Sequence, residues 1–305
     1  MQIIDCKKAR SEILETANNV LSHVKEQKNN PDFKPTLAVL QVEGDDASSV
    51  YVRNKKKACE ACGINFMHLK FPNDVEYSNL KTVLTTLAKD SEITGILLQL
   101  PLPAHLKEYE SDLLNTIPWQ KDIDGLTTAS IGRLWSGMEC LHPCTAEGIM
   151  SLLPDDLSGK NVLVINRSML IGKPLVALLQ SRNATVTLAH SKTDMEKLIW
   201  NDHDLIDGVY LPDIIITAVG QNGFISSDMS NNFAPWLWEA KEDYMIIDAS
   251  ITRNDEGKLC GDVDLTNTQT KAQITPVPGG VGILTTAMVA YNVAYAANLQ
   301  ERYPL

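Results

Sequence analysis

The sequence predicts an α/β protein of two units, and three observations carry that prediction. Short apolar runs of strand length alternate with segments whose apolar residues recur at helical spacing, the βαβ rhythm of a largely parallel sheet with right-handed crossovers. The rhythm runs once from Leu37 to Leu100 and starts again near Leu141. At 305 residues the chain is also long for a single core, and a domain size of roughly 100 to 200 residues makes two.

In the first unit, Ile13, Leu14, Ala17, Val20, Leu21 and Val24 share a helical face, and Pro31 and Pro35 close that helix. The apolar run from Leu37 to Leu40, extended to Val42, reads as a buried strand. Polar residues 44–49 offer N-caps for a helix carrying Tyr51 and Lys55, and Gly63 stops it. A strand over 64–69, a helix over 75–89 and a strand over 95–100 follow, and Pro118 ends a further helix. In the second unit Thr145 caps a helix reaching about 153, residues 161–165 form a strand, and Pro174 suits the first turn of the next helix. Strands over 185–189, 213–219 and 245–248 continue the pattern. The last helix, from Leu284, has Ala287, Met288, Tyr291, Ala294 and Tyr295 as its expected buried face and is expected to pack back on the first unit. The expected division is therefore 1–140 with 284–305, and 141–283.

With 44% hydrophobic and 21% charged residues, the composition is that of an ordinary globular protein without low-complexity tracts. A net charge of -11 argues against a nucleic-acid binder, which needs a basic face. The N-terminus lacks the apolar core of a signal peptide, and no apolar stretch of about 18 residues is present. A soluble cytoplasmic protein without a membrane partner is expected. Six cysteines in such a protein are expected to be reduced. Cys59 and Cys62 have a CxxC spacing, but without a second pair or a histidine pattern they read as small buried residues, and no metal is expected.

Several segments carry candidate chemistry. Tyr51-Val-Arg-Asn-Lys55 puts an aromatic ring and an amine on one helix face, so that a flat ligand stacked on Tyr51 would meet Lys55, and a lysine in a partly apolar pocket can serve as a base. Taken alone, the pentapeptide reads more readily as part of a solvated lysine run, since Lys55, Lys56 and Lys57 are consecutive. Gln99 interrupts an apolar strand near its carboxyl end, where α/β sheets bind ligands, or else simply bonds a neighbouring loop. In Lys121-Asp-Ile-Asp-Gly125, Asp122 and Asp124 alternate, so that only one need face a site; a turn with solvated acids is the ordinary explanation. The loop from Asn166 to Pro174 joins a strand to a helix N-terminus, where a dinucleotide diphosphate would sit, although GxGxxG is absent. Arg167, Ser168 and His190-Ser-Lys192 offer donors for a ribose phosphate, or are ordinary loop polarity. Thr275-Pro-Val-Pro-Gly-Gly-Val-Gly282 combines stiffening prolines with glycines that permit close backbone approach or positive φ.

Taken together and in order, Tyr51 to Lys55, Gln99-Leu-Pro-Leu-Pro103, Lys121 to Gly125, His142-Pro-Cys-Thr145, Arg167-Ser168 with Ile171-Gly-Lys-Pro174, Gly261-Asp-Val-Asp264 and Pro276 to Gly282 resemble the bifunctional methylenetetrahydrofolate dehydrogenase/methenyltetrahydrofolate cyclohydrolase family. The resemblance covers nearly the whole chain. It implies a folate-binding catalytic domain completed by the C-terminal helix, a Rossmann-like NAD(P)-binding domain, a cleft between them and a homodimer. The implied activity is oxidation of 5,10-methylenetetrahydrofolate to the methenyl form, then hydrolysis to 10-formyltetrahydrofolate. The implied partners are tetrahydrofolate one-carbon derivatives with polyglutamate tails.

By match to the family's motifs, Lys55 assists the hydrolytic step, Gln99 holds and tunes Lys55, Tyr51 stacks on the folate, and Asp124, rather than Asp122, accepts hydrogen bonds from the pterin. Leu100, Pro278, Gly279 and Gly280 also fall in the implied substrate site, which reaches Thr286. Asn166, Arg167, Ser168, Ser191 and Ile251 fall in the implied cofactor site. Arg167 and Ser191 suit a 2′-phosphate, which makes NADP the first choice and NAD the second. Asn166 and Ser250 stand where the family has glycine, and Ile283 stands where it has proline; residues 200–212 read as a surface insertion. Two other readings follow from these departures: a monofunctional NAD-dependent dehydrogenase, against which Lys55 with Gln99 argues, and a folate-binding protein with little turnover.

Overall fold

The computed structural model describes residues 2–44, 46–195, 198, 212–226, 244–264 and 272–304. The expected insertion over 200–212 lies, apart from Pro212, outside the described residues. The chain divides into two compact units, Arg10–Cys144 with Thr285–Leu305, and Met1–Ala9 with Thr145–Leu284.

The chain opens with β1 (Gln2–Ile3) and α1 (Cys6–Gln27), in which Ile13, Ala17, Leu21 and Val24 are buried as their spacing requires. In the unit of Arg10–Cys144, β2 (Thr36–Val42) is the centre of a three-stranded parallel sheet, with β3 (Asn65–Phe71) and β4 (Gly95–Leu98) on either side. Every residue of β2 from Leu37 to Val42 is buried, and apart from Gln41 the strand reads as an apolar run. Around the sheet lie α2 (Asp46–Ala61), α3 (Tyr77–Lys89), α4 (Glu110–Leu114) and α5 (Thr128–Trp135). Ala38, Leu40 and Val42 of β2 share a core cluster with Leu80, Leu84 and Leu87 of α3 and with Ile96 and Leu98 of β4. The third strand ends at Leu98, two residues short of its expected end. Gln99 and Leu100 lie beyond it, ahead of a cis Leu100–Pro101 bond.

In the other unit a six-stranded sheet has the order β1-β11-β8-β7-β5-β6, and all its pairings are parallel. Its strands after β1 are β5 (Asn161–Ile165), β6 (Thr185–Ala189), β7 (Ile214–Thr217), β8 (Met245–Asp248) and β11 (Gln273–Ile274); β9 (Thr252–Arg253) and β10 (Leu259–Cys260) form a separate antiparallel pair. The order reverses at β5, flanked by β6 on one side and β7 on the other, the switch point of a doubly wound Rossmann-like sheet. Residues 2–3 close its edge by pairing with β11. Helix α6 (Cys144–Met150) precedes the sheet and contains Thr145 rather than being capped by it, and α7 (Gly172–Ser181) follows β5.

The last helix, α8 (Val281–Arg302), starts three residues before the expected Leu284. Ala287, Met288 and Ala294 are buried as expected, and so are Val289, Ala290, Val293, Ala296 and Ala297; Tyr291 and Tyr295 are half-buried. A helix apolar on all sides belongs inside a core. Its later turns are tied into the unit of Arg10–Cys144: Gln300 Nε2 donates to Thr94 O at 2.7 Å and Gln120 O at 3.0 Å, and Arg302 makes a two-pronged contact with Glu139 at 2.7 and 2.6 Å. No helix among the described residues is long and apolar enough to cross a membrane.

Candidate active site

Helix α2 places Tyr51 and Lys55 one turn apart, with Tyr51 36% exposed and Lys55 only 6%. The Lys55 ammonium donates to Gln99 Oε1 at 3.0 Å and lies 3.8 Å from Asp124 Oδ2. Gln99 is fixed at both ends: its backbone N–H donates to Leu40 O at 2.8 Å, extending the β2–β4 ladder, and its Nε2 donates to Leu100 O at 2.6 Å. With the amide nitrogen so engaged, the amide oxygen is left to face the lysine. Lys55 therefore belongs to a buried constellation rather than to a solvated run.

The acids of Lys121-Asp-Ile-Asp-Gly125 separate by environment. Asp122 is 2% exposed, accepts from Thr127 N at 2.8 Å and Ser130 Oγ at 2.7 Å at the start of α5, and has its pKa raised by burial. Asp124 turns the other way, toward Lys55. Lys121 is wholly buried and donates to Leu87 O, Ala88 O and Asp90 O at 3.3, 3.1 and 2.7 Å, satisfying carbonyls at the end of α3.

Two residues that the sequence reading left out of the site stand behind Asp124. Asn292, a buried polar residue amid the apolar side chains of α8, donates through Nδ2 to Ile123 O at 2.8 Å and His142 O at 2.9 Å, and so fixes two segments near the acid. The Cys144 thiol lies 3.4 Å from Ile123 O, and burial, then the Asp124 carboxylate, push its pKa well up, so it stays neutral. An asparagine amid 287–297, otherwise aliphatic residues, methionine and two tyrosines, is the signal that marks such a residue.

In the six-stranded unit, the predicted cofactor residues gather at the carboxyl ends of the strands. Ile165 and Ala189 are paired across β5 and β6, so Arg167 and Ser191, each two residues further on, leave adjacent strands side by side. Both are exposed. Asn166 and Ser168 begin the turn into α7, and a Cβ on Gly172 would come within 1.9 Å of Asn166 O, so only glycine lets the helix start this close to the strand end. Ile251, Val219 and Leu170, each in a segment that follows a strand of this sheet, are exposed apolar residues. The loop after β7 is gathered by Asp262, another residue the sequence reading did not single out: it accepts from Thr217 Oγ1, Val219 N, Gly220 N and Gln221 N at 2.6 to 2.9 Å. Near it Asp248 accepts from Ser250 N and Val263 N at 3.0 and 2.9 Å, and burial raises its pKa to about 7. A cavity of about 320 Å³ is bounded in part by Asp248, Asp264 and Thr275.

The turn before α8 holds Pro278, Gly279 and Gly280. Pro278 follows a cis bond, Gly279 has φ +95°, and a Cβ on Gly280 would lie 2.2 Å from Pro276 O. Gly279 and Gly280 are thus required by the backbone itself.

A switch point carrying a guanidinium, two hydroxyls and a helix N-terminus fits a dinucleotide in its donor chemistry. Together with a separate unit holding a buried lysine between a carboxamide and a carboxylate, it defines a dinucleotide-linked α/β enzyme. Residues 4–124 match the model of the tetrahydrofolate dehydrogenase/cyclohydrolase catalytic domain, and residues 143–301 that of the NAD(P)-binding domain of the same family. The chain is 39% identical over 301 residues to the bifunctional protein FolD of Campylobacter hominis, covering 97% of each chain. Among solved structures it resembles the bifunctional FolD enzyme of Campylobacter jejuni, with a TM-score of 0.83, 34% identity and coverage of 98% of this chain and 99% of that one. It also resembles the Trypanosoma brucei enzyme complexed with NADP and an inhibitor, with a TM-score of 0.83, 28% identity and 98% of each chain covered. The chain belongs to the tetrahydrofolate dehydrogenase/cyclohydrolase family.

Proposed function

We propose that this protein oxidises 5,10-methylenetetrahydrofolate with NADP and hydrolyses the resulting 5,10-methenyltetrahydrofolate to 10-formyltetrahydrofolate. The observation that carries the reading is the buried Lys55 amine held by Gln99 at 3.0 Å and faced by Asp124 at 3.8 Å. Hydride transfer alone needs no such group, whereas adding water to the methenyl carbon needs a proton acceptor beside it. In this reading Lys55 takes or relays the proton of the attacking water, Gln99 fixes the direction of the amine, and Asp124 balances its charge while accepting hydrogen bonds from the pterin. Tyr51 and Leu100 pack against the folate, and Pro278, Gly279 and Gly280 supply a shaped backbone surface to it.

NADP supplies the acceptor for the hydride when bound. Arg167 and Ser191 bind its 2′-phosphate from adjacent strand ends, Asn166 and Ser168 line the turn toward its diphosphate, and Ile251 covers an apolar face of it. We assign the catalytic role to Arg10–Cys144 with Thr285–Leu305 and the dinucleotide role to Met1–Ala9 with Thr145–Leu284. The same reading makes the protein a cytoplasmic homodimer acting on polyglutamylated folates.

The test is the initial rate of dinucleotide reduction by the purified protein with 5,10-methylenetetrahydrofolate, NADP and NAD being compared at matched concentrations. Faster reduction of NADP is expected. Faster reduction of NAD would remove the 2′-phosphate role from Arg167 and Ser191, and no reduction with either would leave a cyclohydrolase or a folate-binding protein.

A further inference from the structure

At the start of α7 the amides that a helix N-terminus turns toward an anion already have partners within the chain. Asn166 Oδ1 accepts from Ser168 N at 2.8 Å and from Gly172 N at 3.2 Å. Ile171 N donates to Ser168 Oγ at 3.1 Å, and Lys173 N to Ser168 O at 3.0 Å. The other end of the same carboxamide, Nδ2, donates to Ala218 O at 2.7 Å, just past the end of β7. One side chain thus spans the two strand ends between which the sheet order reverses, and its oxygen takes two amides at the start of α7 that an anion there would otherwise meet.

We propose that Asn166 sets the affinity of the dinucleotide site by acting as a built-in substitute for a phosphate oxygen, which a bound diphosphate must displace. The inference rests on the reading of this unit as NAD(P)-binding and adds to it a competitor carried by the chain itself. A phosphate oxygen is the stronger acceptor because its bonds are charge-assisted, so displacement is favourable, but it forgoes the Asn166–Ala218 bond and the two amide bonds to Asn166. Binding therefore depends more on the ends of the dinucleotide, through Arg167 and Ser191 at the 2′-phosphate, than on its centre.

The experiment is calorimetric titration of the full chain with ADP-ribose and with NADP, which carry the diphosphate, and with adenosine 2′-monophosphate, which does not. Asn166→Ala removes the competitor and should tighten ADP-ribose and NADP on the order of ten-fold, leaving adenosine 2′-monophosphate unchanged. Asn166→Asp keeps acceptors for Ser168 N and Gly172 N, loses the donor to Ala218 O and sets a negative charge against the diphosphate; it should weaken the first two ligands more than the third. Weaker ADP-ribose binding by Asn166→Ala, or equal shifts for all three ligands, would overturn the proposal by making Asn166 only a brace of the loop. If Asn166→Ala does not fold, unchanged ADP-ribose affinity in Asn166→Asp overturns it. Failure of the unaltered chain to bind any of the three would overturn the NAD(P) reading and the proposal with it.

Discussion

Gln99 presents its amide oxygen to the Lys55 amine at 3.0 Å because its own amide nitrogen is tied to Leu100 O at 2.6 Å. The direction of the lysine is therefore set by a backbone carbonyl next in sequence to the glutamine. Lys55→Met keeps the volume of the side chain and removes the proton acceptor. Hydrolysis of 5,10-methenyltetrahydrofolate should fall about 10²- to 10⁴-fold, while part of the hydride transfer persists. Unimpaired hydrolysis, followed by loss of methenyl absorbance, would take Lys55 out of the mechanism.

The two acids of one motif should behave oppositely. Asp122→Ala removes the acceptor of Thr127 N and Ser130 Oγ inside the core and should cost about 2 kcal/mol of stability, with the kinetic constants of the surviving enzyme little changed. Asp124→Ala should leave the melting temperature nearly alone and depress folate turnover. Denaturation and kinetics measured on both variants decide the matter, and a kinetic defect confined to Asp122→Ala would exchange the assignments.

Arg167→Ala should raise the Michaelis constant for NADP by on the order of ten-fold or more, the worth of a charge-assisted contact to phosphate, and that for NAD much less. Equal increases would mean that the guanidinium does not read the 2′-phosphate.

Lys121→Met should destabilise the protein by about 2 to 4 kcal/mol, because three carbonyls at the end of α3 lose their donor in a buried place. Urea unfolding is the measurement, and an unshifted midpoint would show that water replaces the amine.

Asp248 carries a pH signature. Its folded-state pKa of about 7 lies above the ordinary carboxylate value of 3.8, burial being the larger cause and Asp262 an added one. The folded state thus holds a proton that the unfolded chain releases. This stabilising contribution is complete below about pH 4 and is lost as the pH rises through about 7, a change of a few kcal/mol in order of magnitude. Stability curves from pH 4 to 8 should be flatter in Asp248→Asn, and parallel curves would contradict the shift.

The strands over 161–165, 185–189 and 245–248 coincide with their expected bounds: the first and last are mostly buried and read as short apolar runs, while the edge strand over 185–189 alternates threonine with apolar residues. Helical spacing located α1, and cap residues on either side located α2. The pairing of Gln2–Ile3 with Gln273–Ile274 had no such signal, since two-residue strands carry no period and their partners lie at the far end of the sequence. In the candidate site, the i, i+4 relation of Tyr51 and Lys55 was legible, but Asn292 and Cys144 were not, since they reach Asp124 only through tertiary contacts. Asn166 was visible as a departure from the family pattern. That its carboxamide joins Ser168, Gly172 and Ala218 required coordinates.

The pairing of β1 with β11 and the return of α8 to the unit of Arg10–Cys144 bear on synthesis at the ribosome. Domains generally fold as they emerge, the N-terminal one first. Here the unit that includes the first nine residues needs a strand ending at Ile274, and the other needs a helix ending at Arg302. Neither unit is complete until residues 274 and 302, respectively, have left the exit tunnel, so apolar surface of the nascent chain stays uncovered until then and open to chaperones.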